Sequence, residues 1–293
     1  MTGVQTCALP ISKIINRLVN DNAHGLGISV KDGMLFGACL ARNFNIRLFI
    51  PLLKELIRSI RHKWARPFVL DLVLSMIFIS KVGKLNPVYA SLFLNAGAHI
   101  QHHYTFSSAK YSGALSNPEW FVKQNLDPVL EVYKLYDNIL GVIRQAFRDR
   151  SLFVITGLSQ RPNPKMVNYY RPKDHSGLLR RLGLTCNFSS INLRMSRDFL
   201  VNFSGERDAN VFSHDLSAIC LSDASRLFET DLRKDSVFCK VIYYGLPSDD
   251  LRIIGKKNKL LNFSDELSHV TIENGIHSRT GYIVRTDRVA SSP

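Results

Sequence analysis

Between Asn95 and Tyr104 the sequence reads NAGAHIQHHY, with His99, His102 and His103 clustered around Gln101. Neutral imidazole binds first-row metals through one ring nitrogen and shuttles protons near neutral pH. His99 and His103 stand four apart, so they share a face only if the stretch is helical. The competing reading is loop histidines hydrogen-bonded within the fold. Farther along, Arg194 and Arg197 flank Asp198 in LRMSRDF. Guanidinium groups grip phosphate in a bidentate fork, or else pair with a surface carboxylate. NYYRPKDH (168–175) mixes aromatic and basic groups that could stack on a base or sugar, or simply pack. Ser213, His214 and Asp215 are the residue types of a triad, but neighbours in sequence do not form one. The sequence has neither a G-x-S-x-G elbow nor a P-loop.

The elements around these residues read as follows. Residues 20–37, rich in Gly and Asn, predict loop with a short strand. Pro51 opens a helical pattern that carries Leu52, Leu53, Leu56, Ile57 and Ile60. A second helix follows Pro67 and runs to about Val82. PVYASLFL (87–94) is short and almost wholly apolar, the mark of a strand buried on both faces. Asp127-Pro128 starts a helix whose stripe is Val129, Val132, Tyr136, Ile139, Ile143 and Phe147. SLFVIT (151–156) reads as the next buried strand, which makes a strand–helix–strand crossover. DFLVNF (198–203), SVFCKVIYY (236–244) and YIVRT (282–286) are further strands, and parts of 173–182 and 206–221 are helical. The expectation is an α/β domain over residues 12–293, with a mostly parallel sheet flanked by helices on both faces. Ligands of such sheets bind beyond the carboxyl ends of the strands, where residues 95–103 would fall.

The totals bound the functions. The chain has 293 residues, 45% of them hydrophobic, enough for a substantial core. Its 38 Lys and Arg against 24 Asp and Glu give a net charge of +14. That surface favours a small phosphorylated or other anionic partner. The basic residues are scattered and no zinc finger or aromatic RNA-binding motif accompanies them, which disfavours nucleic acid. FVLDLVLSMIFISKVG is broken by Asp71 and Lys81 and is too short to span a membrane. Cys39, Cys186, Cys220 and Cys239 show no C-x-x-C spacing and read as small hydrophobes of a reduced, cytoplasmic-type protein. Asn187, Asn202 and Asn262 head N-x-S sequons, relevant only in a glycosylating pathway. Residues 1–11, MTGVQTCALPI, resemble a translated sequencing-library adapter rather than a signal peptide; they are set apart from the fold, with the native amino terminus expected to be missing.

LFLNAGAHIQHHY resembles the strand-end metal motif of the alkaline-phosphatase superfamily, in the branch of type I phosphodiesterases and nucleotide pyrophosphatases. That family carries Asp-x-x-x-His after a parallel strand; Asn95 falls on the Asp position and His99 on the His position. YDNILGVIRQAF and SLFVIT are similar to the helix and strand that follow, and ENGIHSRTGY to the last motif, whose Gly-x-His ligand falls on His277. The resemblance covers about residues 85–285. It implies a phosphohydrolase or phosphodiesterase with a divalent metal, zinc by preference, held by Asn95, His99 and His277. Gln101, His102 and His103 would orient or replace these ligands, and Arg194 and Arg197 would hold phosphate. Where the family has Ser-Asp-His-Gly for a second metal, this chain has Thr156, Gly157, Leu158 and Ser159. The resemblance therefore implies at most one ion. The family's nucleophile would lie upstream of residue 12, which leaves a binding protein without turnover as the alternative.

Overall fold

The computed structural model describes residues 30–286 apart from 185–186 and 195–196. The adapter-like residues 1–11, most of the 20–37 segment and Cys186 lie outside the described residues. The chain divides into two compact units, one holding residues 26–165 and 274–293, the other 166–273.

The first unit is mainly helical. Helix α1 spans Val30–Arg42, where sequence reasoning placed the end of a loop. Helix α2 spans Ile46–Arg61 and starts before Pro51, because the Asn45 side chain caps it by accepting from Arg47 N at 3.1 Å. Leu48 and Leu52 turn into the core. Helix α3, Arg66–Leu85, carries Pro67 in its first turn and ends at Asn86 in the left-handed conformation. Helix α4 is Ala96–Tyr104. Helix α5, Pro128–Ala146, begins at Asp127, whose carboxylate accepts from Leu130 N at 2.9 Å. Leu48, Leu52, Phe68, Leu72, Ile100 and Ile139 form the centre of one shared core.

The expected mostly parallel, alkaline-phosphatase-like sheet is overturned. Residues 87–95 run as irregular chain, with Val88, Tyr89 and Phe93 exposed. A β-prone run becomes a strand only where another edge supplies hydrogen-bond partners. Here the start of the run is tied instead by Arg150, which donates to the Pro87 carbonyl and the Asn86 side chain. Strand β1 (Leu152–Thr156) forms where predicted, but it pairs antiparallel with β11 (Tyr282–Thr286), Val154 facing Val284. The crossover thus lacks both its first strand and its parallel pairing. Among the described residues every sheet has two to four strands, all antiparallel.

Strand β2 (Ser159–Pro172) pairs with β10 (Leu267–Ser278), and the unit boundary falls within both strands. The second unit contains helix α6 (His175–Arg181) and strands β3 (Phe188–Leu193) and β4 (Asp198–Phe203). Helix α7 (Glu206–Ser217), the short β5 (Cys220–Leu221), β6 (Phe228–Arg233) and β7 (Ser236–Val241) follow. Strands β8 (Arg252–Ile254) and β9 (Leu260–Asn262) and the single-turn helix α8 (Phe263–Glu266) lead into β10. The four-stranded sheet has the order β3-β4-β7-β6. Alternate residues Phe199, Val201 and Phe203 on β4 and Val237, Cys239 and Val241 on β7 are buried, with Phe212 and Leu216 of α7 in the same core.

Candidate functional site: a histidine cluster on helix α4

Helix α4 is short and lacks a capping side chain of its own; Asn95 is its N-cap residue but makes no side-chain cap bond. The cap comes from α3. The Asp71 carboxylate accepts from Asn95 N at 3.2 Å and from Ala96 N at 2.9 Å. The Tyr136 hydroxyl of α5 donates to the same carboxylate at 2.9 Å and accepts from Gly97 N at 2.7 Å. A Cβ on Gly97 would lie 2.8 Å from the Tyr136 ring, so the absence of a side chain lets this helix end approach α5. Burial pushes the Asp71 carboxyl up to about 6; the bonds from Ala96, Tyr136 and Asn95 oppose that rise without cancelling it. Burial, and then the neighbouring carboxyl, raise the Tyr136 phenol well above its usual range.

Ala96, Ile100 and Tyr104 are the buried face of α4. The histidines project from its other faces. The His99 and His103 rings meet edge to face at 4.8 Å, as the four-residue spacing requires once the stretch is helical. His102 and His103 are 6.0 Å apart, and His102 meets His277 of β10 at 4.6 Å with the rings nearly perpendicular. Four imidazoles therefore form one chain of contacts. Burial, and secondarily His102, lower the His99 pKa to about 4, which keeps that ring neutral at ordinary pH.

The segment that brings in His277 is held against α4 by its backbone. His102 Nδ1 lies 2.8 Å from the Gly275 carbonyl. A carbonyl only accepts, so Nδ1 carries a proton; the neutral form of that ring has its lone pair on Nε2, the tautomer suited to metal ligation. Gly275 permits the approach: a Cβ there would sit 2.5 Å from the Gln101 carbonyl oxygen and 2.8 Å from Gln160 Oε1. Gln160 donates to the Ala98 carbonyl at 3.0 Å. Asn274, fully buried, accepts from Phe106 N at 3.0 Å and exchanges two hydrogen bonds with Asn117.

The predicted site residues sort accordingly. His99, His102, His103 and His277 are brought together, and the ring in contact with His277 is that of His102. Asn95 stands at the helix start, with its backbone engaged by Asp71. Gln101 donates to the Tyr133 hydroxyl at 2.8 Å. Arg197 belongs to the second unit, where its guanidinium lies 4.0 Å over Tyr169 and 5.1 Å from Tyr244. Arg194 closes the β3–β4 turn through its backbone N–H to the Asp198 carbonyl. Among the described residues, no three His, Cys, Asp or Glu side chains already surround a single metal position. Sequence reasoning missed Asp71 and Tyr136 as the supports of α4. The available signal was a lone carboxylate inside an otherwise apolar helix, which is costly to bury without donors.

Comparison with family models, with curated proteins and with solved structures finds no match. Among the described residues, no helix is long and apolar enough to cross a membrane.

Proposed function

We propose that the first unit binds one divalent metal ion at this histidine cluster, and through it a phosphate ester, as the metal-holding part of a phosphohydrolase or phosphodiesterase. The observation that carries the reading is the contact of His102 with His277 beside the Gly275 carbonyl, which fixes the His102 tautomer. The donor set is all imidazole, which suits zinc. His102 and His277 would hold the ion, and rotation of the neutral His99 or of His103 would supply a third nitrogen. A metal there would polarise a phosphoryl oxygen. The chain's own residues set the stage for it: Asp71 and Tyr136 fix the start of α4, and Gly275 fixes the proton of His102.

A second reading, binding without turnover, is favoured by one segment. The Thr156 hydroxyl accepts from Tyr282 N at 2.9 Å, and Gly157 and Leu158 carry no ligating side chain. Calorimetric zinc titration combined with hydrolysis of a model phosphodiester tests both readings. The expected result is zinc binding that falls at least about tenfold in His102→Ala and His277→Ala, comparable to the loss of supporting groups at metal sites. Zinc affinity unchanged in both variants would overturn the site. Zinc binding without hydrolysis would select the second reading.

A further inference from the structure

Helix α2 presents two apolar faces, and among the described residues only one of them is packed. Leu48 and Leu52 are buried in the first unit's core. Ile46, Ile50, Leu53, Ile57 and Ile60 point outward, with exposures from 46% at Leu53 to 82% at Ile60. Their spacing alternates four and three residues, the seam of a coiled coil over two heptads, about 21 Å long at 1.5 Å rise per residue. Beside the seam, Arg47, Lys54 and Arg61 recur every seven residues, and all three are exposed. They occupy one flank only. The other flank is Phe49 and Leu56, which turn toward the core.

We propose that this stripe docks an amphipathic helix of a partner protein that carries acidic residues along the facing flank. A second copy of this chain does not fit the charges. Antiparallel copies would set Arg47, Lys54 and Arg61 against one another. Parallel copies would set them against Phe49, Leu56 and Lys63, which offer no carboxylate. An anionic bilayer would accept the apolar and basic groups, but it gains nothing from a heptad register or a one-sided charge flank, and both are present here.

The test uses the full chain and two fluorescent synthetic peptides of about three heptads, with Leu at the seam positions and either Glu or Lys on both flanks. Anisotropy should show the acidic peptide binding at least about tenfold tighter than the basic one at low salt, a gap that narrows as salt screens the flank. Ile50→Ser combined with Ile57→Ser should abolish binding while leaving the melting temperature in place, since both side chains are outward. Reversing the flank with Arg47→Glu, Lys54→Glu and Arg61→Glu should move the preference to the basic peptide. Failure of the acidic peptide to bind, equal binding of the two peptides, or binding that survives the Ile double variant would overturn the proposal. So would binding to phosphatidylcholine–phosphatidylserine vesicles that the Ile variant removes while the peptides are ignored, a result that would assign the stripe to a lipid surface.

Discussion

Replacing Asp71 with asparagine should change how the stability of the first unit depends on pH. Burial holds the Asp71 carboxyl at about 6, against an ordinary 3.8, so folding favours its protonated form. The stability this group contributes is fully present below the unfolded value. It is lost as pH rises from about 4 through the folded value near 6, and it is gone above that. A shift of about two units corresponds to about 3 kcal/mol. Asparagine is neutral throughout and removes this dependence. It also leaves one acceptor oxygen for the three donors from Asn95, Ala96 and Tyr136, a pH-independent penalty of about 1–3 kcal/mol. Urea unfolding followed by tryptophan fluorescence is the assay. Both tryptophans of the chain, Trp64 and Trp120, lie in the first unit, so the signal reports that unit. Native stability minus Asp71→Asn stability should fall by about 3 kcal/mol between about pH 4 and about pH 7. Carboxylates common to both proteins cancel in the difference. A difference that is flat, or that rises with pH, would refute the reasoning: the three donors would then solvate the carboxylate as well as water does.

Two further outcomes follow from close packing. Gly275→Ala should destabilise the first unit by about 1–3 kcal/mol and weaken zinc binding, because its Cβ would collide with the Gln101 carbonyl and push His102 and His277 apart; unfolding curves and calorimetry check this. Cys239, whose thiol burial pushes far above its usual range, should resist alkylation in the native protein while the half-buried Cys220 reacts, as read by peptide mapping.

Much local structure was legible in the sequence. Asp127-Pro128 marked the start of α5, and DFLVNF and SVFCKVIYY marked β4 and β7, although β7 ends at Val241, three residues short of the strand read, because caps and strand-forming runs are local signals while strand ends are not. Strand direction was not legible. SLFVIT formed a strand, but not the buried one its composition predicts: Phe153 and Ile155 are exposed, and its partner is YIVRT at the far end of the described chain, a choice no local pattern encodes. PVYASLFL shows the complementary error, a β-prone composition with no neighbouring edge. In α2 the residues Leu52, Leu53, Leu56, Ile57 and Ile60 share helical spacing, yet Leu52 is buried while Ile57 and Ile60 are exposed. At the site, the histidines were legible by type. The pairing of His102 with His277 was not, since it depends on a Gly275 carbonyl brought in from β10.

The unit boundary crosses β2 and β10, and these strands are paired. Residues 166–273 are therefore flanked in sequence by parts of two strands that are hydrogen-bonded neighbours. In genetic terms the second unit is a cassette within a hairpin. Replacing it with a short turn between the two strands is the direct way to ask whether the histidine cluster and the outward stripe of α2 are held by the first unit alone.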